Sequence, residues 1–296
     1  MIHSKSEQRH QVIINVIMML VTVIMVAPLL LLFMSSITDE KALLVYGYSF
    51  LPKKFSLDAY RYIFTNGSTI FNAYKNTIVV TLIGTAANLI MSSMAAYSLS
   101  IKKLPFRNVI NFYIFFTMLF NGGLVPSYLM WSSTFHIKNT LWALILPNFL
   151  CSAMNVILMR TYYMTSIPEA LYEAAKIDGA SYFYIYHKIV LPMGKPIMVT
   201  VGLFSGLSYW NDWTNGLYYI NDTKLYSIQT LLNKMIQDIQ AMQANAASAS
   251  SGAAMSIPTV SVRMAIAIVA LLPILVLYPF LQKYFAEGIA LGAVKG

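Results

Sequence analysis

Charged residues are scarce in this chain. Only 10% of its 296 residues are Asp, Glu, Lys or Arg, whereas 58% are hydrophobic. A soluble domain has roughly 25% charged residues, so these few charges cannot cover a globule of this size, and lipid must replace water around much of it. The single cysteine, Cys151, excludes an internal disulfide framework and is interpreted as apolar packing. The net charge of +9 comes from bases in short segments between apolar runs, which is typical of membrane proteins and not of nucleic-acid binding.

Ionisable side chains are nearly absent from the apolar runs themselves. All 4 histidines lie outside them, and Asp212 is the one acid inside a predicted span. The sequence has no Walker A pattern, no His/Glu spacing for a metal and no serine nucleophile elbow. Ion pumps and proton relays need ionisable groups at membrane depth. We therefore expect this chain to be no enzyme and to bind no cofactor or metal of its own.

Six apolar stretches are long enough to cross a membrane. A hydrocarbon core about 30 Å thick requires roughly 20 apolar residues in a helix. We predict an all-α polytopic membrane protein with six transmembrane helices, in which proline and glycine are tolerated where neighbours satisfy the freed backbone groups. The predicted spans lie near residues 12–34, 74–99, 108–131, 140–163, 196–220 and 262–284.

The basic residues of the short connections predict the orientation. Residues 100–107 hold Lys102, Lys103 and Arg107, whereas the opposite connection, 132–139, holds only Lys138. Because cytoplasmic loops carry the excess of Lys and Arg, both termini are predicted to be cytoplasmic. The cytoplasmic parts are then residues 1–11, 100–107, 160–195 and 286–296, and the external parts include 35–73 and 221–261. Within the last of these, the Gln-, Ala- and Ser-rich stretch 237–256 is interpreted as a flexible or marginally helical loop.

Neutral polar and small residues recur at helical spacing within the predicted spans. Gly84, Asn88, Ser92 and Ala96 form a row suited to close helix packing, and Gly202 and Gly206 form a GxxxG. The polar residues permit two interpretations, interhelical hydrogen bonding or the lining of a path for a hydroxyl-rich solute. The aromatic residues among them could stack on sugar rings or belong to the interfacial belt. The candidate lining residues are Asn148, Ser152, Asn155, Ser208, Tyr209, Trp210, Asn211 and Asp212.

Residues 166–192 are too polar to cross lipid and carry helix-capping residues. Ser166 and Glu169 fit a capping box around Pro168, which predicts a short helix over about 167–177. Gly179 suits the left-handed residue that ends such a helix. Ser181 can cap a second short helix, which Pro192 is expected to close. The segment is thus predicted to be a compact cytoplasmic helix–turn–helix between spans four and five, with an interfacial helix on the bilayer as the alternative.

The same segment resembles the EAA loop of ATP-binding-cassette (ABC) importer permeases. The pattern EAA-x3-G-x9-I-x-LP is matched at every specified position, from Glu173-Ala174-Ala175 through Gly179 to Ile189 and Leu191-Pro192. In that family the loop is the coupling helix, which docks in a groove on a separate ATPase subunit. The resemblance assigns ATPase coupling to Glu173, Ala174, Ala175, Asp178, Gly179 and Ala180.

Further stretches resemble the maltose-type carbohydrate permeases, on the side of the second, six-span subunit. They include Asn121–Tyr128, Trp210-Asn211 and the ending Tyr278–Gly296, which is similar to the subgroup that imports complex oligosaccharides and polysaccharide fragments. The resemblance covers roughly residues 10–296. It implies a sister permease in a heterodimer, two ATPase subunits that bind ATP and Mg²⁺, an extracellular solute-binding protein and a sugar substrate. It also implies that 237–258 reach the binding protein and that the C-terminal tail contacts the ATPases.

The predicted function is therefore a sugar importer permease in the bacterial cytoplasmic membrane, surrounded by lipid and working by alternating access. One alternative is a permease of the same architecture for an amino acid, a peptide or a polyamine. Another is a polytopic membrane enzyme that acts on lipid or glycan, and a third is a secondary transporter. The identity of the sugar and its length stay open at this point.

Overall fold

The computed structural model describes residues 5–65, 67–147, 149–248 and 260–293. These residues are almost all helical, and they contain no β-strand beyond an isolated bridge between Thr38 and Phe55. The chain divides into two compact units, one formed by Met1–Gly67 and Lys234–Pro273 and the other by Ser68–Asn233 and Ile274–Gly296. Asn148, a predicted lining residue, and much of the external stretch 237–256 lie outside the described residues.

The helices follow one another in the chain as fifteen α-helical elements within the described residues. They are α1 (Lys5–Ser36), α2 (Glu40–Tyr46), α3 (Asp58–Thr65), α4 (Gly67–Ser100), α5 (Arg107–Leu119), α6 (Leu124–Leu129), α7 (Trp142–Ile145), α8 (Ala153–Ser166), α9 (Glu169–Ile177), α10 (Tyr182–Ile185), α11 (Leu191–Met193), α12 (Lys195–Trp210), α13 (Thr214–Tyr219), α14 (Ile228–Ser248) and α15 (Val260–Ala293). π-Helical turns at Met130–Thr134 and Tyr186–Val190 continue α6 and α10, and Thr223–Leu225 form a 3₁₀ turn.

In the first unit, the long helix α1 presents large apolar side chains to its surroundings. Most of those between Val12 and Leu30 are exposed, as expected of a helix in contact with lipid or with another membrane subunit. The first turn of α15 is held by α2, because the Glu40 carboxylate accepts hydrogen bonds from the backbone N–H groups of Val260 and Ser261 at 2.9 and 2.8 Å. The Ser261 hydroxyl also donates to this carboxylate. A carboxylate at this position satisfies N–H groups that have no partner within the helix.

In the second unit, α4 is the central helix, and its row of small residues is buried as the sequence predicts. Gly84, Asn88, Ser92 and Ala96 all face inwards. A methyl group built on Gly84 would lie 2.4 Å from the ring of Tyr209 in α12, so only glycine permits this approach. The GxxxG of α12 faces the same helix, since a Cβ on Gly202 would lie 3.2 Å from Leu89 and one on Gly206 3.6 Å from Thr85. The packing interpretation of both small-residue rows is confirmed.

The predicted spans differ from the observed helices in continuity. Among the described residues, His10–Ser36 and Gly67–Ser100 are each long and apolar enough to cross a membrane. The stretch predicted as span three is bent by 109° between Arg107–Leu119 and Leu124–Thr134. Within predicted spans four and five the helix is interrupted, after Ile145 and after Trp210 respectively. Such breaks are tolerated at membrane depth where protein groups satisfy the freed backbone atoms.

Residues of predicted span six and of the external loop are more helical than the sequence analysis expects. Helix α15 continues from Val260 to Ala293, beyond the predicted end of the span at 284 and through most of the predicted tail. Helix α14 includes the first part of the Gln- and Ala-rich stretch, up to Ser248. Alanine and glutamine are good helix formers, and this preference explains the extension.

A substitution at Gly216 in α13 is expected to lower the thermal stability of the protein. A Cβ at this position would lie 1.8 Å from Thr230 Oγ1, in a buried contact that cannot widen without moving α13 away from the start of α14. Overpacking of this kind costs about 1–3 kcal/mol. Gly216→Ala should therefore reduce the unfolding temperature of the purified protein in detergent by several degrees. Gly122→Ala is the matched control, because nothing lies within 4 Å of its Cβ; an equal effect of both would contradict the packing argument.

Candidate functional site

The segment 166–192 forms two helical pieces joined by a tight turn, as the sequence predicts. Gly179 has φ +76°, in the left-handed region. Around it the Gly179 N–H donates to Lys176 O at 3.1 Å and the Ala180 N–H donates to Ala175 O at 2.9 Å, the paired bonds of a Schellman motif. The Ser181 hydroxyl then caps α10 by accepting from the Tyr184 N–H at 3.2 Å.

Two details of the predicted capping are wrong. Ser166 is the last residue of α8, and α9 starts after Pro168 with no side-chain cap. The reason is that a proline disfavours helical geometry in the preceding residue, and Ile167 is accordingly extended. Pro192 does not close the second piece either, since it lies within α11, and the direction changes by 79° between Tyr182–Met193 and Lys195–Trp210.

One face of this segment is packed into the second unit. Ile185, Tyr186 and Val190 are buried in a cluster with residues of α4, α8 and α12, and Tyr172 and Ala175 pack against it. Hydrogen bonds join the same elements: Ser93 of α4 bonds to the hydroxyls of Tyr163 and Tyr186 at 2.8 and 3.0 Å, and the Tyr97 hydroxyl donates to Tyr182 O at 3.2 Å. This inner face therefore moves together with the helices on which it packs.

Tyrosine side chains contribute most of this inner contact. The Tyr97 ring is stacked on that of Tyr172, with centroids 6.5 Å apart, and is tilted against that of Tyr186 at 5.4 Å. Burial, with a smaller contribution from Tyr97, raises the pKa of Tyr172 to about 12. The phenol therefore stays neutral at physiological pH, and the contact does not depend on its ionisation.

The other face of the segment is exposed and largely apolar. Ile177 is 86% exposed and Phe183 70%, and Tyr182 and Tyr184 are exposed beside them. Asp178 and Gly179 lie beside Tyr184, and Glu173 is exposed at a separate groove that it lines with Lys102 and Lys176. The described residues offer no ion pair within 4 Å to Glu173 or Asp178. Lys102 of the 100–107 connection pairs with Glu169 at the start of α9. Apolar side chains this exposed, next to unpaired charges, are typical of a docking surface.

The predicted lining residues separate into buried and exposed ones. Asn155, Tyr209, Trp210 and Asp212 are at most 9% exposed. Ser208 and Asn211 are exposed, Ser152 is partly buried, and Asn148 lies outside the described residues. Nothing in the structure brings these residues together around one cavity within the described part of the chain.

Asn155 belongs to a buried polar cluster that joins three helices. Its Nδ2 donates to Asn88 Oδ1 and to Ser205 Oγ, both at 3.1 Å, and the Ser205 hydroxyl donates to the same Asn88 oxygen at 2.8 Å. Asn88 Nδ2 donates to the carbonyl oxygens of Phe149 and Leu150. The interhelical interpretation of these polar residues therefore accounts for Asn88, Asn155 and Ser205.

Asp212 holds the break between α12 and α13. Its Oδ1 accepts from the backbone N–H groups of Thr214 and Asn215 at 3.0 and 3.2 Å. Its carbonyl oxygen accepts from the Ser227 hydroxyl at 3.3 Å, and Ser227 is bonded in turn to Thr230 at 2.8 Å. The acid that the sequence singles out in span five therefore fixes local backbone geometry.

Apolar helices with protein-satisfied breaks, and a segment between two of them with one packed and one exposed face, are the features of an integral membrane protein. Residues 88–291 match the family model described as "Binding-protein-dependent transport system inner membrane component", and the chain belongs to this family. It is an integral membrane transport subunit of the ABC type and not an enzyme, because in this family a separate subunit is the ATPase.

Two curated relatives and one solved structure are similar over nearly the whole chain. The polygalacturonan/rhamnogalacturonan transport system permease protein YtcP of Bacillus subtilis (strain 168) is 37% identical over 94% of this chain and 96% of the relative. Protein LplC of the same organism is 34% identical over 92% and 90%. A chain in the crystal structure of a bacterial ABC transporter involved in the import of the acidic polysaccharide alginate has a TM-score of 0.79 and 28% identity, over 96% of this chain and 99% of that one.

Proposed function

We propose that this chain is one of the two permease subunits of an ABC importer that carries an oligosaccharide across a bacterial cytoplasmic membrane by alternating access. A sister permease completes the path, and an extracellular solute-binding protein delivers the sugar. Two ATPase subunits bind ATP and Mg²⁺, and one of them docks on the segment 166–192. The observation that carries this proposal is the two-faced structure of that segment, with one side packed on α4, α8 and α12 and the other exposed.

The mechanism follows from these two faces. An ATPase that binds the exposed side near Ile177 and Phe183 pulls on α9 and α10 when the nucleotide sites close. The tyrosine contacts and the buried cluster around Ile185 and Val190 pass this displacement to the spans. Interfaces that switch between two packed arrangements can turn such a displacement into opening on one side of the membrane and closing on the other.

We also place six crossings on the observed helices, with both termini in the cytoplasm. The distribution of Lys and Arg supports this orientation. The crossings are α1, α4, α5 with α6, α7 with α8, α12 with α13, and α15. The external segment that contains α14 then faces the binding protein, and the end of α15 faces the ATPases.

Among the predicted lining residues, Ser208 and Asn211 have exposed side chains that a solute could reach. Each already donates one hydrogen bond within its own helix, to Phe204 O and Leu207 O respectively. Asn155, Tyr209, Trp210 and Asp212 are assigned a positioning role, since their side chains are buried. Asn211→Ala is accordingly the informative substitution for the path, whereas Trp210→Ala also removes buried packing.

The choice of a sugar as solute is supported by the relatives, which are named for polygalacturonan, rhamnogalacturonan and alginate transport. A permease of the same architecture for a non-sugar solute is the runner-up. A polytopic enzyme is not favoured, because the relatives are transport subunits.

Uptake by the full complex tests the proposal. The chain is produced with its sister permease, ATPase and binding protein, and uptake into vesicles is measured for trigalacturonate, an alginate trimer, arabinotriose and raffinose. ATP-dependent uptake of at least one of them, with stimulation of ATPase activity, is expected. Uptake of an amino acid or peptide with none of the sugars would overturn the proposal. A complex that lacks this chain is the control.

A further inference from the structure

A small pocket lined by both polar and apolar groups lies where two helix breaks of the second unit meet. One wall comes from Asn121 in the turn before α6 and from Leu124 and Ser127 in α6, and the other from α13, with Thr214 and Tyr218. Its volume is about 260 Å³, near the lower limit of the roughly 300–1,000 Å³ of small-ligand sites. The pocket therefore has room for one ring of an oligosaccharide and not for the whole chain.

Bonds on the rim of this pocket hold Asn121 and the backbone of Thr214, and three polar groups are left available to a ligand. Asn121 Oδ1 accepts from the Gly123 N–H at 2.8 Å, which leaves its Nδ2 donor without a partner in the described residues. Thr214 is held through its backbone N–H, at 3.0 Å from Asp212 Oδ1, and its hydroxyl has no described partner. The Tyr218 hydroxyl is also unengaged there and is only partly buried.

The wall behind these groups is rigid and aromatic. Tyr219, which also lines the pocket, stacks on Tyr128 with ring centroids 5.7 Å apart, and the Tyr128 hydroxyl accepts from Lys138 at 2.9 Å. Asn215 at the base of the pocket is 1% exposed and donates to Pro147 O at 3.3 Å. Preorganised donors beside an apolar or aromatic surface are the usual features of a small-molecule site.

We propose that this pocket, with Asn121, Thr214 and Tyr218 as its hydrogen-bonding groups, binds one ring of the transported oligosaccharide through its hydroxyl groups. No charged residue lines the pocket within the described part of the chain. A carboxylate of an acidic sugar therefore finds no ion pair here, and recognition rests on neutral hydrogen bonds and on contact with the aromatic wall. This inference depends on the proposed function, since it names where this subunit meets the sugar.

Two conservative substitutions test the pocket without a change in packing volume. Thr214→Val and Tyr218→Phe each remove one hydroxyl, and the loss of one neutral hydrogen bond weakens binding roughly 2- to 10-fold. We expect the KM for uptake of the best substrate among trigalacturonate, the alginate trimer, arabinotriose and raffinose to rise by that factor in these two variants and to stay unchanged in their controls. The matched controls are Thr117→Val and Tyr113→Phe in α5, because both residues are exposed and neither lines the pocket.

A second measurement does not depend on the kinetics of sugar uptake. Thr214→Cys and the control Thr117→Cys are made in a Cys151→Ser background and treated with a methanethiosulfonate reagent in the assembled complex. The sugar that wild-type protein transports should slow modification at residue 214 and not at 117. If the variants match their controls in both measurements, the proposal that the pocket binds sugar is wrong. Sugar uptake by the wild-type protein would then still support the proposed importer function. If wild-type protein takes up no sugar of the panel, both proposals fall.

Discussion

Replacing Gly179 by Asp is expected to abolish sugar uptake while the protein still reaches the membrane. Gly179 has φ +76°, where an L-residue pays about 1–2 kcal/mol. Nothing in the chain lies within 4 Å of its Cβ position. The new side chain would therefore point outwards from the exposed face of 166–192, where it would add a charge to the surface on which the ATPase is proposed to dock.

The control for the added charge is Gly67→Asp. Gly67 also has empty space around its Cβ position, but it begins α4 in the segment predicted to be external. It should retain uptake and co-purify with the ATPase, whereas Gly179→Asp should lose both. Gly179→Asn separates strain from charge, because Asn tolerates the left-handed region, and it should keep much of the activity. Normal uptake by Gly179→Asp would contradict the proposal that residues 166–192 couple the ATPase to the spans.

Replacing Asn88 by Ala is expected to destabilise the protein strongly. Asn88 is 1% exposed and takes part in four hydrogen bonds, to Phe149 O, Leu150 O, Asn155 and Ser205. Interhelical bonds of this kind contribute about 0.6–1 kcal/mol each in membranes, and their loss also leaves buried partners unsatisfied, so the total is roughly 2–4 kcal/mol. The unfolding temperature in detergent and the yield of assembled complex should both fall sharply.

The control for Asn88→Ala is Asn108→Ala, which removes the same side chain from an exposed position in α5. A double variant adds a second test. Once Asn88 is absent, Ser205→Ala should cost less than it does in the wild-type protein, since the Ser205 hydroxyl has lost its acceptor and keeps only the bond that it accepts from Asn155. Additive effects of the two substitutions would show that the cluster is not one cooperative unit.

The coupling segment could be predicted from the sequence because its determinants are local. Gly179 and Ser181 act on backbone atoms within four residues, and both are found in their predicted roles. The capping by Ser166 was wrong for an equally local reason, since Pro168 keeps Ile167 extended and delays the start of α9. Here the effect of proline on its neighbour outweighed the capping pattern.

The helix breaks and the pocket between α6 and α13 could not be predicted in the same way. Hydropathy measures whether side chains tolerate lipid, and the residues around Asn121 and Asn211 lie within stretches that pass this test. The backbone can leave helical geometry only where donors from distant parts of the chain bond to its carbonyl groups. Asn88 is such a donor, because its side chain bonds to Phe149 O. The pocket joins Asn121 to Thr214, and only the folded arrangement places these two residues on facing walls.

The interruption within predicted span four has a consequence for motion. The carbonyl groups of Ile145, Pro147 and Phe149, at the end of α7 and just after it, accept hydrogen bonds from Tyr209, Asn215 and Asn88 respectively. These three side chains belong to α12, α13 and α4. Rotation of any one of these helices alone would break such a bond. We therefore expect these helices and the chain that follows α7 to move together as a single rigid body.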